Sequence, residues 1–297
     1  MQVRVVDDLS RGELGNLEHC FDRIEFVKGD LSNSKTAERV VKGCKVCYHL
    51  AAVVGGVRWM NTHPSNIFRS LLINYNIIEA CRKREIDKLV FTSSACTYSV
   101  DLQSNDDLPA LSEENVLNCG AKPDGDYGWT KLIGEIQCKA YYKTYGLKTA
   151  IVRPFNPYGP RESFAIEDSH VIPALIRRAV NHENPLVVWG DGEQRRAFTY
   201  VTDLVDGIIL AGDAISDASA INLGAWKDIS IRELVELILK LTGCDNKIVW
   251  DTSKPKGVNV RKSDMTKALQ VLKWEPRVNL EEGLRRTIDW YIKKKIS

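Results

Sequence analysis

Long apolar runs and an excess of one charge are both missing from this sequence. No stretch of the 297 residues approaches the ~20 apolar residues of a membrane-spanning helix, and the N-terminus lacks the pattern of a secretory signal peptide. Lysine and arginine number 41 against 39 acidic residues, for a net charge of +2. The one basic cluster, Lys293 to Lys295, ends a helical pattern, where cations complement the helix dipole. We therefore expect neither a membrane partner nor a nucleic-acid partner.

A disulfide scaffold and a metal-binding cluster are also missing. The eight cysteines do not have the spacing of a disulfide-stabilised secreted domain, so we predict reduced thiols and a cytoplasmic location. Cys44 and Cys47 have a spacing that redox and zinc sites use. However, residues 46–50 have the pattern of a strand, and no second pair follows at ligand spacing. We therefore expect no metal site.

What the sequence contains is a Ser–Tyr–Lys constellation between residues 91 and 131. Residues 89–91 form an apolar run that gives way to small residues, as a buried strand does when it ends at a site. Ser94 follows, and Tyr127 and Lys131 are four residues apart, which places them on one face of a helix. An ammonium beside a phenol favours the phenolate, so we predict that the pKa of Tyr127 is lowered towards neutrality. Such a phenol is a general base for an alcohol proton, which Ser94 would also hydrogen-bond.

Two segments of this stretch carry a family resemblance. VFTSSACTYS, which ends at Ser99, and DYGWTK, which ends at Lys131, resemble the extended short-chain dehydrogenase/reductase family, the NAD-dependent nucleotide-sugar epimerases and dehydratases. The resemblance implies an α/β fold with a Rossmann-type doubly wound parallel sheet and a smaller C-terminal α/β lobe. It implies an NAD-binding domain over residues 1–155 and 199–225, and a nucleotide-sugar-binding lobe over residues 156–198 and 226–297.

The resemblance lacks one part at the N-terminal end. Family members begin with a strand and a glycine-rich turn that holds the cofactor pyrophosphate at a helix N-terminus. Here the strand that follows Met1 corresponds to the family's second strand, and Gly12 and Gly15 come after the wrong strand. The missing strand would lie in the middle of the sheet, where its loss leaves backbone groups unpaired. We therefore expect the polypeptide to begin upstream of Met1.

Several residues at strand ends are predicted to bind the cofactor. Asp7 and Asp8 end the first apolar strand, where a carboxylate accepts hydrogen bonds from ribose hydroxyls and repels a 2′-phosphate. The pair therefore predicts NAD rather than NADP. The resemblance adds residues that contact the adenine, the body of the cofactor and the nicotinamide side. These residues are Asp30, Leu31, Ala51, Ala52, Pro154, Tyr127 and Lys131.

The resemblance also implies a substrate site and a dimer. Gly55 and Gly56 allow a loop to approach a ligand closely. Asn156, Arg196 and Arg261 correspond to residues that contact the sugar diphosphate, and a guanidinium suits this role because it binds two phosphate oxygens at once.

Two helical stripes predict how the dimer forms. A helix capped by Ser65 and running to about Arg84 has apolar residues at helical spacing, and the helix from Tyr127 to Tyr145 has a similar stripe. In the family these helices pair with their copies in a four-helix bundle, so we expect a homodimer. Packing of the stripes against the sheet is the alternative.

Two further residues predict the reaction. Cys96 lies two residues after Ser94, and His170 lies in SHVIP. In family members that epimerise a sugar at C3 and C5, a Cys and a His or Lys at such places are the acid–base pair. A thiol and an imidazole have ordinary pKa values of about 8.5 and about 6.5, so both exchange protons near neutrality. The combination of VVGG, SSAC, SHVIP and WGDGEQRRAF is similar to the GDP-mannose 3,5-epimerase and GDP-fucose synthase types.

We therefore predict an NAD-dependent nucleotide-sugar epimerase that oxidises C4, epimerises C3 or C5 and re-reduces C4, with a GDP-sugar as substrate. A UDP-sugar 4-epimerase is one alternative, and it would need Ser94, Tyr127 and Lys131 but neither Cys96 nor His170. A GDP-fucose synthase-like epimerase/reductase is the second, although the acidic pair disfavours its NADPH. A non-catalytic nucleotide-sugar binder is the third, and it would retain no NAD.

Overall fold

Most strands of the fold belong to parallel sheets. The structure is a computed structural model, and it describes residues 2–118, 120–165, 169–254 and 256–296. The strands are β1 (Val3–Asp7), β2 (Ile24–Lys28), β3 (Val46–His49), β4 (Lys88–Thr92), β5 (Thr149–Pro154), β6 (Pro157–Tyr158), β7 (Leu186–Trp189), β8 (Arg195–Arg196), β9 (Thr199–Tyr200), β10 (Asp217–Leu223), β11 (Ile229–Ser230), β12 (Ile248–Asp251) and β13 (Val260–Arg261). The largest sheet has the order β10–β5–β4–β3, and all its pairs are parallel.

Helices cover both faces of this sheet. The helices of the described residues are α1 (Ser34–Val41), α2 (Val57–Thr62), α3 (Pro64–Ile67), α4 (Arg69–Lys83), α5 (Asn115–Asn118), α6 (Gly125–Tyr145), α7 (Val171–Val180), α8 (Val201–Ala214), α9 (Ile231–Thr242) and α10 (Leu280–Ile296), and α1, α4, α6 and α8 are the ones that cover this sheet. Leu89 and Phe91 of β4 join the core formed with α1, α4 and α6, whereas Val90 joins the core formed with α8. This alternation follows from the two-residue period of a strand. It produces the doubly wound arrangement that the sequence predicts.

β1 and β2 form a separate parallel pair next to this sheet. They pair in register from Val3 opposite Ile24 to Asp7 opposite Lys28. In the described part of the chain, β1 and β3 do not pair through backbone hydrogen bonds. Val46 of β3 is exposed. The expectation that a further strand belongs to this sheet stays a prediction.

The C-terminal half has a core of its own. Ile172 and Ile176 of α7, Leu234 and Ile238 of α9 and Leu284 of α10 are buried together. Small sheets border this core, with β7 paired to β12 and β8 placed between β11 and β13. None of the helices in the described ranges is long and apolar enough to cross a membrane.

The predicted single helix from Ser65 to Arg84 is wrong in its start and its continuity. The chain forms α3 and α4 instead, separated at Phe68, and the N-cap of α3 is His63 without a side-chain cap. Pro64 starts α3 because its ring fixes φ and because the first turn needs no N–H donor. Ser65 therefore lies inside the helix and does not cap it.

Candidate active site

The N-terminal end of α6 lies against the loop that follows β4. The Ser94 hydroxyl accepts a hydrogen bond from the Cys96 amide at 3.1 Å and begins a short 3₁₀ turn. The Asp124 amide, just before α6, donates to the Cys96 carbonyl oxygen at 2.8 Å. Gly128 allows this contact, because a Cβ there would lie 2.3 Å from the Cys96 carbonyl oxygen. The helix and the loop therefore hold Ser94 and Tyr127 at the same place.

The predicted Ser–Tyr–Lys constellation is assembled in the structure. The hydroxyls of Tyr127 and Ser94 form a hydrogen bond. The Lys131 ammonium lies 5.7 Å from the centroid of the Tyr127 ring and donates to the Thr92 carbonyl oxygen at 2.7 Å. Lys131 is only 2% exposed, so the group sits away from bulk water. The three side chains occupy the carboxyl end of β4, where ligands of open parallel sheets bind.

Burial changes the proton affinities in this cluster. It raises the pKa of the Tyr127 phenol, and Cys96 adds to the rise, while Arg11 and the hydrogen bond with Ser94 oppose it. Burial also lowers the pKa of Lys131 to about 8, against the effect of Cys96. The prediction that Lys131 lowers the pKa of Tyr127 is therefore wrong for this structure. The physical reason is that loss of water disfavours both charged forms, and the prediction considered only the cation.

Two residues beside Lys131 were not identified from the sequence. His49, at the end of β3, shares a hydrogen bond with the Asn74 amide oxygen at 3.0 Å. The Asn74 amide nitrogen donates to the Thr130 carbonyl oxygen at 3.2 Å, so it links α4 to α6. Burial lowers the pKa of His49 to about 3, with Lys131 adding to the effect, so the ring is neutral beside the ammonium. The sequence feature that could have identified His49 is its position near the end of a predicted strand.

Cys96 joins the cluster together with an arginine from the C-terminal half. The Arg261 guanidinium donates to the Cys96 sulfur at 3.5 Å, to the Gln103 amide oxygen at 2.7 Å and to the Asp124 carboxylate at 2.5 Å. Arg261 is buried, and the predicted diphosphate contact stays a prediction. The Nη1 atom of Arg261 contacts the thiol, while Nε and Nη2 donate to Gln103 and Asp124. Gln103 and Asp124 were also missed, because neither lies in a recognisable motif.

His170 and Arg196 belong to the C-terminal half of the chain. His170 precedes α7 and contacts the Glu162 carboxylate rather than Cys96. Arg196 donates to the carbonyl oxygens of Val258 at 2.6 Å and of its neighbour Arg195 at 2.8 Å. Burial and the nearby Arg261 lower the pKa of Arg196 to about 9. In the described residues Arg196 forms no ion pair with a carboxylate, so a half-buried cation is available to an anionic ligand.

The other predicted substrate residues lie in two loops. The Asn156 amide donates to the Ala197 carbonyl oxygen at 2.8 Å, and its backbone has a φ of 37°. Gly55 and Gly56 are buried before α2, and a Cβ on Gly55 would lie 2.8 Å from the ring of Trp59. Glycine is needed there because the indole lies against the backbone. The substrate roles of these residues stay predictions.

The predicted cofactor residues lie at the carboxyl ends of β1, β2, β3 and β5. Asp7 accepts a hydrogen bond from the Leu9 amide at 2.7 Å, and Asp8 from the Ser10 amide at 2.9 Å. Asp30 accepts from the Ser32 amide at 2.9 Å and forms an ion pair with Arg69. Burial acts against the negative charge of Asp30, but the hydrogen bonds from Ser32 and the Arg69 ion pair lower its pKa. The remaining residues are the buried Leu31, the half-buried Ala51 and Ala52, and the buried Pro154.

Comparisons with known proteins identify the family. A model of the NAD dependent epimerase/dehydratase family matches residues 1–224. The chain belongs to this family. It is 35% identical to GDP-L-fucose synthase 1 of Arabidopsis thaliana over 249 residues, which cover 82% of this chain and 75% of that protein. It is 31% identical to GDP-mannose 3,5-epimerase of Arabidopsis thaliana over 274 residues, covering 92% and 71%.

Solved structures of epimerases have the same fold as this NAD-dependent epimerase/dehydratase family member. UDP-glucose 4-epimerase from Thermotoga maritima, solved with UDP-glucose, has a TM-score of 0.89 at 27% identity, and the match covers 99% of this chain and 92% of that one. UDP-glucuronic acid 4-epimerase from Bacillus cereus, solved with UDP-glucuronic acid and NAD, has a TM-score of 0.84 at 26% identity, covering 99% and 91%. The predicted fold class, the enzyme assignment and NAD as cofactor are thereby confirmed.

The residues present fit NAD at the carboxyl ends of the strands. Lys131 is a buried ammonium whose one hydrogen bond in the described ranges goes to a carbonyl oxygen, so it would hold ribose hydroxyls beside Tyr127. The Asp7 carboxylate would hold the ribose of the adenosine. NAD supplies hydride acceptance and return when bound. The chain's own residues would bind the cofactor beside Tyr127, and the predicted role of Tyr127 and Ser94 in moving the proton of a sugar hydroxyl stays a prediction.

Proposed function

We propose that this enzyme epimerises a nucleotide sugar at C3 or C5 after oxidation at C4, and then re-reduces C4. The observation that carries the proposal is Cys96, whose amide donates to the Ser94 hydroxyl at 3.1 Å and whose sulfur accepts a hydrogen bond from the buried Arg261 at 3.5 Å. A 4-epimerase needs no such thiol. A thiol beside the oxidising residues can reach a proton next to the reacting carbon.

The chemistry gives each side chain one task. Tyr127 in its phenolate form takes the proton of the C4 hydroxyl, and Ser94 hydrogen-bonds the same oxygen. Burial raises the pKa of this phenol, so the positive charge of the nicotinamide would have to favour the phenolate when NAD is bound. The ketone formed at C4 makes the protons on C3 and C5 acidic, because the enolate is delocalised onto its oxygen. Inversion then requires proton removal on one face and proton delivery on the other. Cys96 and His170 are the groups that exchange these protons.

The proposed substrate is a GDP-linked sugar. Arg196 is the half-buried cation that would meet the diphosphate, with Arg261 beside it and Asn156 bonded to the next residue, Ala197. Binding energy from the diphosphate orients the sugar at the reacting centre. The relatives named GDP-L-fucose synthase and GDP-mannose 3,5-epimerase, at 35% and 31% identity, support the choice of guanine as the base.

Solvent exchange tests the reaction. The enzyme is incubated with NAD and GDP-mannose in deuterated water, and the recovered sugar is analysed by NMR. We expect deuterium at C3 or C5, and its absence from both positions excludes the mechanism. Cys96→Ala should abolish exchange, whereas Cys20→Ser, which changes a thiol in the 3₁₀ helix Leu14–Arg23, should leave it unchanged.

A GDP-fucose synthase-like epimerase/reductase is the second candidate, and the 35% identity with that enzyme of Arabidopsis thaliana favours it. It would consume a reduced cofactor with each turnover, whereas the proposed epimerase regenerates its NAD. Net oxidation of NADPH by the enzyme with a GDP-linked 4-keto sugar would establish the second candidate. Purified protein that binds GDP-mannose but retains no NAD and gives no exchange would instead indicate a non-catalytic binder.

A homodimer is part of the proposal. Leu72 and Tyr75 on α4 and Trp129 and Ile136 on α6 are exposed apolar residues, and the two helices pack side by side. An apolar surface of this kind is typical of a protein–protein interface. Sedimentation should give a dimer for the native chain and a monomer for a Leu72→Glu, Ile136→Glu double variant. Leu269→Glu, an equally exposed apolar position on another face, should remain a dimer.

The predicted domain bounds and the cytoplasmic location also belong to the proposal. The separate core formed by α7, α9 and α10 supports a C-terminal lobe that binds the nucleotide sugar. The seven cysteines that the structure describes are free thiols, which is compatible with a reducing compartment. Limited proteolysis with and without GDP-mannose would test the lobes, since the ligand should protect the C-terminal one.

A further inference from the structure

A carboxylate holds the imidazole of His170. The Nδ1 atom of His170 lies 2.5 Å from the Glu162 Oε1 atom. The side chains differ in exposure, with 45% of His170 and 19% of Glu162 accessible. Glu162 does not belong to any motif noted in the sequence. The contact is therefore a feature that the assignment of His170 leaves unexplained.

Both residues are anchored in the C-terminal half. His170 is the N-cap residue of α7, whose Ile172 and Ile176 are buried in the core of that half. Glu162 lies two residues before Phe164, whose ring stacks on Tyr291 of α10 with centroids 4.4 Å apart. The loop of Glu162 and the start of α7 pack on the same core, so the side chains of Glu162 and His170 keep fixed relative positions. The orientation of the imidazole is therefore set by the fold.

The contact determines which ring nitrogen can exchange protons. In the residues that the structure describes, the Nε2 atom of His170 has no hydrogen-bond partner. A carboxylate beside Nδ1 accepts an N–H from it and keeps the proton there in both the neutral and the protonated ring. The same arrangement orients a histidine in other enzymes, where it fixes the tautomer.

We propose that Glu162 is a positioning residue that holds His170 in the Nδ1–H tautomer, so that Nε2 exchanges the proton with the sugar. This rests on the proposed function. In the delivering direction, the Nε2–H bond breaks, the enolate electron pair forms the new C–H bond, and the ring becomes neutral with its proton still on Nδ1. In the other direction the neutral Nε2 takes the proton from carbon. Glu162 gains and loses no proton in either step.

The tautomer can be measured without any turnover. The sequence has five histidines, so the enzyme is labelled with ¹⁵N-histidine and the His170 ring is assigned from a His170→Gln sample. A long-range ¹H–¹⁵N correlation spectrum of the neutral ring should show the proton on Nδ1. In Glu162→Ala it should move to Nε2, the tautomer that free histidine prefers. In the native enzyme, a neutral His170 ring that carries its proton on Nε2 overturns the proposal.

Exchange kinetics separate positioning from a structural role. In Glu162→Ala, deuterium incorporation from solvent should fall ~10²-fold, as expected when an imidazole loses its orienting partner. The KM for GDP-mannose and the transient reduction of NAD, which reports oxidation at C4, should stay unchanged. Glu162→Asp should restore part of the exchange rate. Glu183→Ala, which removes the carboxylate of the exposed pair with Arg178 in the same half, serves as the matched control.

The outcomes distinguish this inference from the proposed function. If His170→Ala exchanges deuterium at the native rate, the proposed role of His170 fails, while the tautomer measurement still decides the role of Glu162. If His170→Ala loses exchange and Glu162→Ala does not, only the inference fails. A Glu162→Ala protein that melts early is replaced by Glu162→Leu, which keeps most of the side-chain volume but cannot accept the Nδ1–H hydrogen bond. In that variant an unchanged tautomer together with unchanged exchange also overturns the proposal.

Discussion

The two groups of predicted site residues, one in each half of the chain, differ in their contact with water. At the N-terminal end of α6, the side chains of Lys131 and Arg261 are buried and are held by polar groups from other elements, and Tyr127 is half-buried beside Lys131. At the start of α7, His170 is partly exposed and is held by one carboxylate. The first half behaves as an interior, where desolvation sets the charge states. The second behaves as a surface, where the nearest partner sets the orientation.

This difference teaches that the same residue types follow different rules within one chain. Burial lowers the pKa of Lys131 to about 8, well below the pKa of a solvated lysine. His49, enclosed next to it, is kept neutral by burial, whereas the solvated His170 depends on the carboxylate of Glu162 for its geometry. A change in the enclosed half should therefore alter charge and stability together, and a change in the exposed half should alter orientation alone.

The largest effect is expected where the enclosed half meets the substrate. Tyr127→Phe removes the phenolic hydroxyl and keeps the half-buried ring, so turnover should fall by ~10² to 10⁴-fold while the melting temperature is preserved. Steady-state kinetics and thermal melting measure both. Tyr145→Phe removes a hydroxyl from an exposed ring at the other end of α6 and should change neither. Turnover of Tyr127→Phe within tenfold of the native rate would contradict the enclosed half as the site of chemistry.

The free energy of unfolding should depend more on a buried ion pair between α6 and β5 than on an exposed ion pair. The Glu135 carboxylate accepts two hydrogen bonds from Arg153, at 2.9 and 2.7 Å, and one from Ser93 at 2.5 Å, and both charged side chains are 1% exposed. Glu135→Gln leaves a buried guanidinium without its counter-charge, so the free energy of unfolding should drop by ~3–5 kcal/mol in urea denaturation. Glu282→Gln, in the exposed pair with Arg286, should show no measurable loss. Equal losses in the two variants would remove the distinction.

The lowered pKa of Lys131 predicts how the free energy of unfolding depends on pH. The pKa is about 8 in the folded enzyme and 10.5 in the unfolded chain, so between these values the unfolded chain binds more protons. The free energy of unfolding should therefore rise with pH in this window, by about 3 kcal/mol in total, while activity falls as the ammonium is lost. Lys131→Met should abolish this pH-dependent rise, and Lys143→Met, on the exposed side of α6, should retain it. A native enzyme whose stability is flat over this window would refute the charge assignment.

The smallest effect is expected from adding one methyl group where α6 contacts the loop that contains Cys96. Gly128→Ala places a Cβ against the Cys96 carbonyl oxygen, so the helix must shift and the free energy of unfolding should fall by ~1–3 kcal/mol. Turnover should fall too, because the shift moves Tyr127 away from Ser94. Gly15→Ala meets no atom within 4 Å and is the matched control. A Gly128→Ala enzyme with native turnover would show that the two elements need not touch.

Local patterns were sufficient for the elements and for part of the site. The helix of Tyr127 and Lys131 and the strand before Ser94 were predicted because helical spacing and an apolar run ending in small residues are local properties. The break at Phe68 was not predicted, since an apolar stripe continues through it. Arg261 was identified, but its position against Cys96 depends on residues far apart in the chain, which no spacing rule connects.

By itself, the sequence determined which side chains can do the chemistry and which faces of the helices are apolar, because residue type and periodicity are properties of the chain. Only the tertiary structure decided how those side chains behave. Burial, and not the neighbouring cation, dominates the proton affinity of Tyr127, and a carboxylate eight residues upstream holds His170. The physical reason is that desolvation and hydrogen-bond partners depend on what packs around a group, and packing is decided by elements that the chain brings together from a distance.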